Sequence, residues 1–211
     1  MDECCSKKGG EIAELGAKQD QRRVLLIVLA INAVMFFVEF GAGLIAHSSA
    51  LQADAVDMLG DALVYVLSLY VINRGAKWEA GAALAKGALI LFLFLVIVVE
   101  IVHKLINGVP PSSNLMLIFG SLALVANLTC LALLWRFRKP NVNMSSTFEC
   151  SRNDVAANLG VLLAAGLVAW FNSPWPDIAI GSLIALIFLR SAIRVIREAW
   201  PQFRASRPST S

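Results

Sequence analysis

Six runs of apolar residues follow one another along the chain, at 24–46, 50–72, 84–106, 115–135, 147–171 and 178–195. A helix rises 1.5 Å per residue, so roughly 20 apolar residues cover the ~30 Å hydrocarbon core of a bilayer. Each run is near that length, and the connections between them are short. The fifth run opens polar and becomes apolar later. The pattern predicts an all-α membrane protein, a six-transmembrane-helix bundle. A polar head at 1–21 precedes it, the bundle occupies 22–198, and a short tail covers 199–211.

Composition supports the same class. Hydrophobic residues make up 58% of the chain and the mean hydropathy is +0.70, above the ~50% apolar share of soluble domains. The first run is too long, and its polar head too extended, for a cleaved secretory signal.

Basic residues are distributed unevenly. Lys7, Lys8, Lys18, Arg22 and Arg23 precede the first run; Arg74, Lys77 and Lys86 lie around the second connection, and Arg136, Arg138 and Lys139 in the fourth. Arg190, Arg194, Arg197, Arg204 and Arg207 close the chain, whereas the alternate connections hold only Lys104. By the positive-inside rule, both termini are expected in the cytoplasm. The net charge of +3 therefore signals topology, and no nucleic-acid partner is expected. Cys4, Cys5, Cys130 and Cys150 occupy cytoplasmic or intramembrane positions where a disulfide framework is not expected. Cys130 is read as packing.

Carboxylates inside the second run need a reason, because an ionised group at the bilayer centre costs about 2.5–3.5 kcal/mol or more. Asp54, Asp57 and Asp61 are spaced i, i+3, i+7, which aligns them along one stripe of a helix. Asp54 has two readings, support of the helix N-terminus or membership of the cluster. For Asp57 and Asp61 the alternatives are a buried pair sharing a proton and a cation site, and the cation site is preferred. The fifth run carries Cys150 and Asp154, four residues apart like Asp57 and Asp61. Two helices that each present two such ligands one turn apart can close a four-ligand cage. Tetrahedral oxygen and sulfur donors suit zinc or cadmium.

These residues resemble the cation diffusion facilitator family of metal exporters. The likeness runs through Asn32 and Glu39, the passage Gly43-Leu44-Ile45-Ala46-His47-Ser48-Ser49-Ala50-Leu51, Ala53-Asp54-Ala55, and Asn158-Leu159-Gly160-Val161. It continues through Trp175-Pro176-Asp177, Leu189-Arg190-Ser191-Ala192 and Arg197-Glu198-Ala199-Trp200-Pro201. The resemblance implies six transmembrane helices and a transport site on the second and fifth, which falls on Asp57, Asp61, Cys150 and Asp154. It also implies a homodimer, formed here through membrane contacts, since the family's usual cytoplasmic C-terminal domain is expected to be missing. Zinc-transporting relatives typically place histidine where this chain has Cys150, so a softer ligand set is expected. Asp54, Asn32, Glu39 and Asn158 are secondary metal or pathway candidates, and Glu100 a further polar point along the route. Cys4 and Cys5 are secondary candidates for handling metal in the cytoplasm. His47 and His103 are expected toward the outer surface, Arg152 away from the ligand face, and Asp177 as the cap of the sixth helix.

The expected function is proton-coupled efflux of divalent transition-metal cations, zinc or cadmium first, by alternating access in a bacterial inner membrane. Metal is the cargo and protons the counter-ion; no prosthetic group is expected. The alternative is a membrane metal sensor or structural subunit that moves nothing. An enzyme is disfavoured, because Met58-Leu59-Gly60-Asp61 lacks the first glycine of the intramembrane aspartyl protease signature and no His-Glu-x-x-His occurs. A channel fits poorly with four charged ligands, since conduction needs quick release.

Overall fold

The structure, a computed structural model, describes residues 2–71, 76–108, 110–136 and 142–205. Six helices make up nearly all of it: α1 (Asp2–Ala46), α2 (Ser49–Val71), α3 (Ala76–Asn107), α4 (Ser113–Trp135), α5 (Val142–Phe171) and α6 (Trp175–Ala205). No strand occurs among the described residues. Each predicted run lies largely in its own helix. The polar residues before the first run extend it, so that α1 is a single helix of 45 residues.

Five of the helices are long and apolar enough among the described residues to cross a membrane, over Arg22–Ala46, Ala83–Asn107, Ser113–Trp135, Ser151–Phe171 and Trp175–Pro201. The sixth expected span, α2, is not among them; it carries Asp54, Asp57 and Asp61 in its interior. Packing compensates for that polarity. α1 pairs most extensively with α2, α3 with α6, and α4 with α5, and α2 alone touches all five other helices. Val66 is the only exposed side chain among those described on α2. Apart from Val66, the large exposed apolar side chains, such as Phe37, Phe92, Ile118, Leu163 and Ile187, lie instead on α1, α3, α4, α5 and α6, as lipid-facing surfaces should.

Small residues let α2 sit this deep. A Cβ on Gly43 of α1 would lie 2.8 Å from Gln52 Cγ, and one on Gly181 of α6 only 2.7 Å from the Ser49 carbonyl carbon. Helix backbones approach this closely only where a side chain is missing. The main apolar core forms around the same helix, from Leu51, Val56, Ile97, Met116, Val161 and Ile184 among others.

The α1–α2 corner is tightly built. His47 takes a left-handed conformation at φ 51°, and the Ser48 and His47 N–H groups turn back onto the Gly43 and Leu44 carbonyls at 2.8 and 3.2 Å. This arrangement satisfies carbonyls that the end of α1 would leave bare. The exposed His47 ring contacts Glu100 of α3, Nδ1 to Oε1 3.3 Å, which places Glu100 at this corner.

Two expectations change here. Asp177 lies in the first turn of α6, but its carboxylate caps α2. Its Oδ1 accepts from Ser48 Oγ at 2.5 Å and from Ala50 N at 3.1 Å, and its Oδ2 from Ser49 N at 2.9 Å. Lys104, counted above as a connection charge, lies in the last turn of α3 and is only 2% exposed. Its ammonium donates to Asp177 Oδ2 at 2.6 Å and to Ser49 Oγ at 2.8 Å. An unpaired ammonium would not remain buried here, so the carboxylate partner explains why Lys104 is inside.

Candidate metal centre

The cluster on α2 faces α5. Asp57 and Asp61 are half-buried and Asp154 is buried. The Asp154 carboxyl lies within hydrogen-bonding reach of both Asp57 and Asp61. The shared face follows from local geometry, since residues four apart on a helix stand one above the other. Three of the four expected ligands thus come together pairwise across the α2–α5 contact. Among the described residues, however, no group of three or more His, Cys, Asp or Glu side chains converges well enough to hold an ion. Cys150, the fourth expected ligand, sits on α5 one turn before Asp154, and its side chain lies outside the described residues. The same holds for Cys4 and Cys5 on α1.

A second polar row borders this cluster. Asn158 of α5, one turn beyond Asp154, donates from Nδ2 to Asp54 Oδ2 and accepts at Oδ1 from Asn127 Nδ2 of α4 at 3.0 Å. Glu39 of α1 lies against Asp54. Asn127, Asn158, Asp54 and Glu39 are each at most 2% exposed. The row therefore crosses α4, α5, α2 and α1 through the bundle interior. Both Glu39 carboxyl oxygens and Asp54 Oδ1 lack a hydrogen-bond donor, an arrangement a protein interior rarely keeps without purpose.

Asp54 belongs with Asn158 and Glu39 and does not serve as a free helix-end charge, because Ser48 and Asp177 already hold the start of α2. Asn32 donates Nδ2 to its own helix at Val28 O, 3.0 Å, and leaves Oδ1 unpartnered. Arg152 is exposed while Ser151 and Asp154 beside it are buried, as expected for a side chain turned off the ligand face. Cys130 is 1% exposed and packs with Val28 and Leu134, in keeping with a packing role.

Sequence reasoning did not single out Asn127. The available signal was an amide in the middle of an otherwise apolar run, the same signal that marked Asn32. Lys104 was missed as a buried group because its place near a connection suggested solvent.

The bundle of apolar helices thus encloses carboxylates at the contact of α2 with α5. The chain matches the family described as Cation efflux transmembrane domain over residues 25–202. It is 25% identical over 192 residues to the cadmium, cobalt and zinc/H(+)-K(+) antiporter of Bacillus subtilis, covering 84% of this chain and 62% of that protein. It is 23% identical over 210 residues to the zinc transporter ZitB of Yersinia pestis, covering 93% of this chain and 67% of that protein. With the metal cation efflux system protein CzcD of Cupriavidus metallidurans, it shares 26% identity over 198 residues, 85% of this chain and 63% of that protein. The chain thus spans about two thirds of the length of these relatives. It belongs to the cation efflux family and is a multi-pass integral membrane protein.

Proposed function

We propose that this protein carries divalent transition-metal cations, zinc or cadmium foremost, out of the cytoplasm of a bacterium in exchange for protons. The site is Asp57 and Asp61 of α2 with Cys150 and Asp154 of α5, reached alternately from each side of the membrane. One observation carries the reading: in a cation efflux family chain, the Asp154 carboxyl of α5 lies within hydrogen-bonding reach of both Asp57 and Asp61 of α2. The relatives named for zinc, cadmium and cobalt support the cargo class, and the one named as an antiporter supports proton exchange.

The chemistry follows from the ligand types. Carboxylates and a thiolate bind a divalent ion only when deprotonated, so metal entry releases protons and proton entry expels metal. Cys150 biases the set toward soft and borderline ions over magnesium, calcium or manganese. The topology with cytoplasmic termini also gains support. Once Lys104 is seen to be buried, the end of the bundle at the α1–α2 corner holds no exposed Lys or Arg among the described residues, while Arg22, Arg23, Arg136, Arg190, Arg194 and Arg197 are exposed at the other. Dimerisation through apolar helix faces and a metal-handling role for Cys4 and Cys5 complete the reading.

The test is zinc and cadmium flux in proteoliposomes with an internal pH indicator. Asp57→Ala and Asp154→Ala are expected to abolish metal-driven proton movement while the purified proteins remain monodisperse. Flux persisting in both variants would remove the site; metal binding without flux in the wild type would favour a sensor.

A further inference from the structure

The polar knot at the α1–α2 corner holds more charge than a helix cap needs. Ser48 Oγ already accepts from Leu51 N at 3.1 Å, and a neutral side chain could take the Ser49 and Ala50 N–H groups. Instead, a carboxylate from α6 and an ammonium from α3 meet at 2.6 Å with 0% and 2% side-chain exposure. A buried ion pair is weak evidence for added stability, because desolvation can outweigh its attraction; its best-attested use is to fix one arrangement against another. Here it ties three helices at one point, α2, α3 and α6. Just below, a Cβ on Gly181 would stand 2.8 Å from Ala50 N, so α6 is seated directly on the start of α2.

Burial along α2 shows what this contact closes. Every residue from Ser48 to Val56 is 1% exposed or less, whereas from Asp57 to Leu63 the buried Met58, Gly60 and Ala62 alternate with the half-buried Asp57, Leu59, Asp61 and Leu63. Between the knot and the carboxyl cluster α2 is thus fully covered, and the cover is less complete at the level of the cluster itself. We propose that the Asp177–Lys104 pair, with Ser48 and Ser49, is a gate on the outer side of the carrier. It is shut in this structure and separates to let the cargo leave. This inference rests on the transport reading above. Asp177 and Lys104 act as positioning residues, since neither touches the carboxyl cluster. Parting them leaves two uncompensated buried charges unless water enters, which makes the contact an open-or-shut element.

The experiment reads the gate separately from transport. A cysteine placed by Ala53→Cys, a fully buried position one turn below the knot, is exposed to a membrane-impermeant maleimide from the outer side of sealed vesicles. Labelling is counted against the unsubstituted parent, which carries the native cysteines. Lys104→Met is expected to speed labelling roughly tenfold, as for any element whose closed state loses its main restraint. Zinc flux is expected to fall, while zinc binding in detergent stays within about threefold of wild type. Should Lys104→Met fail to fold, Lys104→Met/Asp177→Asn leaves no unpaired buried ion and carries the same comparison, again with faster labelling. Labelling at the wild-type rate in a folded variant would overturn the gate, including where only melting temperature changes. Wild-type protein that shows no flux, yet gains labelling when the pair is removed, would refute the transport reading and uphold the gate.

Discussion

Replacing Asn158 by alanine removes two hydrogen bonds at once, and the structure says what each loss leaves behind. Asp54 Oδ2 loses its donor and Asn127 Nδ2 loses its acceptor. Both groups stay where they are, because Asp54 and Asn127 are each 1% exposed. A buried polar atom left without a partner costs about 1–3 kcal/mol. A hydrogen bond between transmembrane helices averages only about 0.6 kcal/mol in double-mutant cycles, because unfolded helices in lipid find other partners. The orphaned groups dominate, and Asn158→Ala is expected to destabilise the bundle by about 2–4 kcal/mol. Asn127→Ala breaks only the outer bond and strands a single acceptor, Asn158 Oδ1, so about 1–2 kcal/mol is expected.

The assay is reversible unfolding in mixed detergent micelles for both single variants and the double. In the double, Asn127 no longer has a stranded donor, so its loss should be smaller than the sum of the singles by about 0.6–1.7 kcal/mol. Equal destabilisation by the two singles, with strict additivity in the double, would refute the view that Asn158 joins α4 to α2. It would leave the two amides as independent packing groups.

Two further outcomes follow from named contacts. Gly181→Val is expected to destabilise by about 1–3 kcal/mol or more, because its Cβ would meet the Ser49 and Ala50 backbone at 2.7 and 2.8 Å; thermal melting in detergent checks this, and an unchanged midpoint would show that α6 does not press on α2. Cys150→His is expected to keep zinc flux and weaken the preference for cadmium, since imidazole is a harder ligand than thiolate; competition between the two metals in proteoliposomes would show it, and unchanged selectivity would remove the thiol from the site.

Helix number and approximate extent were legible because each apolar run approaches the length that bilayer thickness sets for a span, and five of the six helices meet that measure among the described residues, α2 being the exception. The α2–α5 pairing of Asp57 and Asp61 with Asp154 was also within reach, because spacing by four puts ligand-type residues on one face and polarity leaves few faces to choose from. What stayed hidden were partners supplied by other helices. Asp177 follows Trp175-Pro176 and reads locally as a cap for its own helix, yet it takes Ala50 N from 127 residues away. Lys104 reads as a connection charge because periodicity does not reveal that the last turn of α3 turns its ammonium inward. Asp54 fell on the same sequence stripe as Asp57 and Asp61, and seven residues turn a helix only about 20° off that stripe, but Asp54 stands nearer the start of α2. There it is level with Asn158, one turn beyond Asp154 on α5, and meets Asn158 and Glu39 in place of Asp154.

The central place of α2 and the location of the carboxyl cluster follow from one constraint. Three carboxylates on a lipid-facing helix would each cost about 2.5–3.5 kcal/mol or more, a sum comparable to the whole stability of a folded domain, about 5–15 kcal/mol. Such a helix is tolerable only where other helices cover it, and α2 is the one element that touches all five others. The other five helices carry nearly all of the large exposed apolar side chains and take the periphery. The helix with the polar lower half, α5, is then the natural one to meet the aspartates, and Asp154 lies there. The same centrality has a mechanical consequence. On the proposed reading, a cation bound between α2 and α5 would act on a helix whose start is also held to α6 and α3 through Asp177 and Lys104.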